Sequence, residues 1–548
     1  MWIRASAAAL ALALAGGVPA PAQAPLSAID WLSDSVRRKP GRQTPPETAP
    51  PQVPAPAPAA PAIEEEEPPA TPAEALADPG GNGPGEAAAP EGIVDSVIEV
   101  TPLDRIRKDT VGLLPTSITG LPVDLWGESE VGRIIALLTA QPDDALPELL
   151  SLLQTLLLAE VNPPRGSSDA TLLLARTDKL LELGALDQAQ ALLERAGPDQ
   201  IEIFRRWFDV SLLSGREDYA CTAMRAAPGF APTLQARIFC LARGGDWSAA
   251  ALTLATGETL GFLDRDQADL LARFLDPDLY DGVPPPPPPD PMTPLDFVMR
   301  EALLLPRPPG ALPLAFAHAD LRPGGPWRAQ MEAAERLVRS QALNPNTLID
   351  LYTSRQPAAS GGIWDRVRAI QAFDVALISG DSGAIAETLP AAFEAMREVA
   401  LEVPFARHYG DRLAGIALSG AGAETAFRVA LLSDAYETAV RPFVPATDKE
   451  RFLKGLATGR IAGLSPPGTL GEAIAEAFLQ PPPPGPLLDL LNAGKLGEAI
   501  LNAMLLLRDE AFADPGDIRA ALSAFRAVGL ESVARRTAIQ LLLLERRG

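Results

Sequence analysis

Apolar residues along this chain recur every three or four positions, in stretches of ten to fifteen residues, which is the spacing of one helix face. No sustained alternation of apolar and polar residues marks a strand. The run 149–158 is one strongly apolar helix, stopped by Asn162-Pro163-Pro164. A phrase then recurs, Leu-x-x-Gly-x-x-x-x-Ala, with its glycines at Gly184, Gly215, Gly244 and Gly494 and its alanines at Ala189, Ala220, Ala249 and Ala499. Gly529 and Ala534 keep the second half of it, Leu377 and Gly380 the first. The first three glycines recur about every 30 residues, the period of stacked helical hairpins. Each copy predicts a helix closed by a left-handed glycine, then a second helix folding back, with a small alanine where the axes cross. Hairpins are predicted over 171–195, 203–226 and 233–254, followed by a helix over 264–274.

The same pattern divides the chain. Residues 1–22 read as a secretory signal peptide: Arg4, an apolar run from Ala5 to Val18, then Ala20 and Ala22 before the expected cleavage point. That run is shorter than the ~20 residues a membrane anchor requires. Residues 23–37 predict a short amphipathic helix with Ile29, Leu32 and Val36 on one stripe and Trp31 beside it. Such an island is expected to dock on another protein or to fold back on its own chain. Residues 38–92, rich in Pro, Ala and Glu, are expected to be disordered because they cannot bury enough apolar surface to offset their ordering entropy. A helical repeat domain is expected at 93–280, a proline-rich connection containing Pro284–Pro289 at 281–327, a middle helical domain at 328–480 and C-terminal hairpins at 481–548. The fold class expected is all-α: an irregular α-solenoid of antiparallel helical hairpins, tetratricopeptide-like, behind a long disordered Pro/Ala-rich N-terminal segment.

Composition supports helices and restricts partners. Hydrophobic residues make up 47% of the 548 and aromatics only 5%, a Leu/Ala core suited to closely packed helices. The net charge of −23 repels nucleic-acid phosphate and anionic membrane, so neither is an expected partner. It serves solubility, or it docks a basic partner. No segment beyond the signal peptide holds 18 consecutive apolar residues, so no stable membrane span is expected after cleavage. The Ala, Pro, Leu and Arg bias is that of a GC-rich bacterium, which places the mature chain in the periplasm or the medium beyond it.

Candidate chemistry is sparse. Cys221 and Cys240 fall on neighbouring predicted helices at similar heights, and in an oxidising compartment a disulfide between them is expected, worth roughly 3 kcal/mol by loop closure. The other reading of the pair is two buried thiols. The only histidines, His318 and His408, are too few and too far apart for a tetrahedral metal site, so no metal or cofactor is expected. Gly494-Lys495 ends like a phosphate loop, but Asp489 stands where its first glycine should be, and Leu496 replaces Ser or Thr. Asp143-Asp144 and Ser360 read as surface residues. His318, near Asp320, reads as a buried or capping histidine, and Trp126, Trp207, Trp247 and Trp364 read as packing anchors. No catalytic residue is assigned.

Three phrases carry a resemblance: Ser27-Ala-Ile-Asp-Trp-Leu-Ser33, Leu183-Gly-Ala-Leu-Asp-Gln-Ala-Gln-Ala-Leu-Leu-Glu-Arg195 and Pro357-Ala-Ala-Ser-Gly-Gly362. The chain resembles a family of exported alphaproteobacterial proteins of uncharacterised function, sometimes labelled antifreeze glycopeptide-related. The resemblance implies an exported helical protein and transfers no catalytic residue. No Ala-Ala-Thr repeat is present to support ice binding. More loosely, the hairpins resemble tetratricopeptide or Sel1-like repeats.

The function expected is therefore a non-enzymatic periplasmic scaffold or adaptor that binds other envelope proteins of secretion, cell-wall or motor assemblies. The alternative is a cell-wall-acting enzyme or carbohydrate-binding protein on an α-superhelical frame, which a cleft with two carboxylates roughly 5–10 Å apart would favour.

Overall fold

The hairpin turns share one backbone solution. In the computed structural model, which describes residues 107–168, 170–307, 312–508 and 514–544, Gly184, Gly215, Gly494 and Gly529 take φ of 74°, 72°, 70° and 83°. The residue after each glycine donates to the carbonyl five positions back: Ala185 to Leu180, Arg216 to Ser211, Lys495 to Leu490 and Leu530 to Phe525, at 2.8–3.0 Å. This is the Schellman closure, which satisfies carbonyls orphaned at a helix end. Ala189, Ala220, Ala499 and Ala534 are all 0–1% exposed, where a larger side chain would push the helices apart.

The third copy is shifted by one residue. Gly244 keeps an ordinary φ of −80°, and Gly245 takes the left-handed turn at 83°. Asp246 then donates to Leu241, and the fully buried alanine is Ala250, with Ala249 only partly covered. The double glycine hides the register, which runs Ala242, Gly245, Ala250.

Among the described residues the chain forms 25 α-helices, four short 3-10 turns and no strand. The longer helices begin with α1 (Val131–Thr139) and α2 (Pro147–Leu158). A stack follows: α3 (Thr171–Glu182), α4 (Leu186–Ala196), α5 (Ile201–Leu213), α6 (Glu217–Ala226), α7 (Leu234–Arg243), α8 (Trp247–Thr259) and α9 (Arg265–Leu275), each packed on the one before. α10 (Pro294–Ala302) folds back onto α5 and α9. A second succession comprises α11 (Trp327–Arg339), α12 (Pro345–Thr353), α13 (Ile363–Ser379), α14 (Ser382–Arg397), α15 (Glu402–Leu413) and α16 (Gly420–Leu432). The chain continues through α17 (Asp448–Thr458), α18 (Gly468–Leu479), α19 (Pro486–Asn492), α20 (Leu496–Leu506), α21 (Pro515–Ala527) and α22 (Glu531–Leu543). No helix among the described residues is long and apolar enough to cross a membrane.

Schellman closures also occur where glycine is missing. Leu304, Gln341 and Ala400 sit at φ 54°, 62° and 55°, and Leu305, Ala342 and Leu401 each donate to the carbonyl five residues back at 2.9 Å. A side chain at such a position carries a steric cost of about 1–2 kcal/mol.

The chain then returns to its own beginning. α20 packs on α1 and α22 on α2. The Gly497 amide donates to Leu125 O at 2.7 Å, and a Cβ on Gly497 would lie 2.4 Å from the Trp126 ring. Glu498 accepts from Ser129 Oγ at 3.0 Å and from Arg133 Nε at 3.3 Å. One hydrophobic core runs from Val111 to Leu544.

The proline run is fastened to the helices beside it. Proline offers carbonyls but no N–H, so only donors can hold it. Buried Arg273 donates to Val283 O at 3.0 Å and to Pro284 O at 2.7 Å, and buried Arg300 donates to Pro286 O at 3.1 Å.

Candidate functional site

The residues singled out in the sequence have mostly structural surroundings. Cys221 and Cys240, both buried, are joined by a disulfide that ties α6 to α7. His318 Nε2 donates to Gly184 O at 2.7 Å, so a connecting segment is clamped to the first hairpin turn. Burial holds His318 below the usual histidine range, and burial also raises Asp187 beside it, against the pull of His318 and Arg216. Asp320 pairs with Arg307 at 2.7 Å, and His408 bonds Asn346 Oδ1 through Nδ1 at 2.6 Å. Asp143, Asp144 and Ser360 are exposed.

Trp126 and Trp207 are fully buried, and Trp364 packs at a tilt against Trp327 with ring centres 5.3 Å apart. Trp247 differs: it is 51% exposed at the start of α8. The helical spacing that placed it on a hairpin face does not say which face is outward. Ile29, Trp31, Leu32 and Val36 lie outside the described residues.

Two features were not legible locally. One is a groove of about 1090 Å³ between α19, α20 and α21, walled by the proline segment 482–486. Leu488, Leu491, Leu505 and Leu506 line it, and charges of both signs stand at its rim, Arg133 and Lys495 against Asp489 and Asp517. Its volume stands at the upper end of the ~300–1,000 Å³ of small-molecule pockets. It forms because Pro482, Pro483 and Pro484 cannot continue a helix, so short α19 starts afresh at Pro486 and covers α20 and α21 incompletely. The prolines were readable in the sequence; their distance from α21 was not.

The other is a polar knot where α2, α15 and α22 meet, with Glu148 and Gln540 buried and Asp434 at its exposed edge. Arg407 donates to Gln341 Oε1 at 2.8 Å and to Ser151 Oγ at 3.1 Å, and lies 3.3 Å from Asp434 and 4.0 Å from Glu148. Arg536 meets the same Asp434 oxygen at 3.3 Å, and Gln540 Oε1 accepts the Glu148 amide at 3.0 Å. Burial pushes the Glu148 carboxyl up to about 7, although Arg536 and Arg407 pull it down. Asp209 is likewise pushed up by burial, to about 6. Neither carboxyl lines the groove. Among the described residues no cluster of three or more His, Cys, Asp or Glu could hold a metal ion.

No protein-family profile, curated protein or solved structure matches this chain.

Proposed function

We propose that this protein is an exported periplasmic scaffold, a tetratricopeptide-like α-solenoid that binds segments of other envelope proteins without catalysing a reaction on them. The observation that carries this reading is the groove beside α19. A leucine floor, a proline wall and a rim of mixed charge suit an extended or helical protein segment, which buries apolar side chains in the floor and pairs polar groups at the edge. The consecutive stacking of α3 to α9 supports the solenoid reading, since arrays of that kind present long contact surfaces. The signal-like segment 1–22 and the resemblance to exported alphaproteobacterial proteins support the periplasm.

The test is site-specific photo-crosslinking in living cells, with the photoreactive group at position 488 of the full-length chain. A discrete protein adduct is expected, lost when Leu505→Asp is introduced into the groove floor. Absence of any adduct at 488, or an adduct indifferent to Leu505→Asp, overturns the reading.

A further inference from the structure

Helix α8 carries apolar and small residues on nearly every side yet buries little. Between its cap Asp246 and Glu258 it has no charged residue, and only Ala250 and Gly257 are fully buried. Its inner side rests on α7 and α9. On the other side Trp247 is 51% exposed and Leu252 70%, and just past its end Leu260 is 61% and Phe262 71% exposed. Ser248, Thr256 and Thr259 are exposed among them, and large apolar side chains left in solvent between small polar ones are one mark of a binding surface.

The neighbouring charges state what could cover it. From Asp246 to Asp281 the chain has eight acidic residues and two arginines. One of the two, Arg273, is buried and spent on the Val283 and Pro284 carbonyls. Asp264, Asp266, Asp276, Asp278 and Asp281 are exposed on α9 and the turn after it, beside α8. Arg265, between Asp264 and Asp266, and Arg237 on α7 are the exposed cations nearby, and the carboxylate excess that remains repels an anionic lipid surface and attracts a cationic protein one.

We propose that the outer face of α8, with the acidic edge of α9, docks a basic amphipathic helix of a partner protein. The apolar face of that helix would lie over Leu252 and Phe262, and its lysines or arginines would meet the aspartates of α9. This rests on the adaptor reading and names the chemistry of one partner.

The test measures binding of two fluorescent synthetic helices to the full mature protein by anisotropy, one of leucine and lysine, the other with glutamate at every lysine. The lysine peptide is expected to bind and the glutamate peptide not. Leu252→Asp should weaken binding at least tenfold, while Val375→Asp, at a 67% exposed apolar position on α13, leaves it unchanged. Failure of the lysine peptide to bind overturns the proposal. So does equal binding of the two peptides, or of the wild type and Leu252→Asp, or an equal loss in Val375→Asp. Self-association abolished by Leu252→Asp would assign the face to a second copy, and binding that appears only after residues 23–37 are deleted would assign it to the chain's own segment; either overturns the proposal. An adduct at position 488 that persists while the peptide test fails leaves the adaptor reading standing and removes this inference alone.

Discussion

The stack from α3 to α9 and the succession from α11 to α16 make similar turns with different means. In the stack, glycines at 184, 215 and 245 take the left-handed position, and a disulfide ties α6 to α7. In the second region Gly380 closes α13 in the same way, but Gln341 and Ala400 are forced into that conformation without glycine. There the side chains compensate: Gln341 reaches Pro147 O, Ser151 and Arg407, and Glu335 takes a bidentate grip from Arg366 at 2.8 and 3.0 Å with Tyr352 alongside. The covalent tie belongs to the stack, and the non-glycine turns with their polar partners belong to the second region. Reductant should therefore act on the first alone, whereas shifted carboxyls at Asp209 in the stack and Glu148 on α2 make both pH-sensitive.

The largest expected effect lies in the stack. Replacing both Cys221 and Cys240 with alanine opens a closure spanning 19 residues and should cost about 3 kcal/mol. Urea unfolding of the double variant against the oxidised wild type measures it, and an unchanged midpoint would remove the covalent tie from the comparison.

Next come the glycines. Gly184→Ala must hold alanine at φ 74° with its Cβ 2.9 Å from both Leu314 and Leu337, for a loss of about 2–3 kcal/mol. At Gly215, where the nearest atom is 3.7 Å away, only the backbone penalty remains, about 1 kcal/mol. Equal losses at the two sites would show that the Leu314–Leu337 contact is irrelevant to the turn.

The polar knot supplies the pH effect. Folded, Glu148 keeps its proton up to about 7; unfolded, it releases it near 4.5. The folded chain thus binds the extra proton between these values, so stability is higher at low pH and falls as pH rises through the window, by at most about 1.4 kcal/mol per pH unit. Glu148→Gln should flatten the difference between urea midpoints at pH 5 and pH 8. If the slope survives intact, burial of this carboxyl does not govern the junction.

The smallest effect is a gain. Leu304 is 92% exposed at φ 54°, so its side chain contributes little and its backbone is strained. Leu304→Gly should raise stability by about 0.5 kcal/mol, readable as a small increase in Tm.

This contrast also explains what the chain disclosed in advance. The all-helical class was legible because amphipathic spacing is local, and the hairpins at 184 and 215 because glycine announces a left-handed turn. The third turn slipped by one because Gly244 and Gly245 are interchangeable on paper and only packing of Ala250 decides between them. The turns at 304, 341 and 400 were invisible, since leucine, glutamine and alanine give no sign of the conformation that tertiary contacts impose. Arg407, Asp434, Arg536 and Glu148 come together from distant segments, so no spacing rule could have gathered them. The groove was hidden for the same reason.

The meeting of α22 with α2 has a consequence for the order of events during synthesis. The Glu148 amide and its acceptor Gln540 are 392 residues apart in the chain. At elongation rates of about 5–20 residues per second, the acceptor follows its donor by roughly 20–80 s. Throughout that interval α2 can pack on α3 but lacks the cover that α22 will give it. The nascent chain can assemble hairpin after hairpin from α3 onward, but its opening helices wait for the last one to arrive.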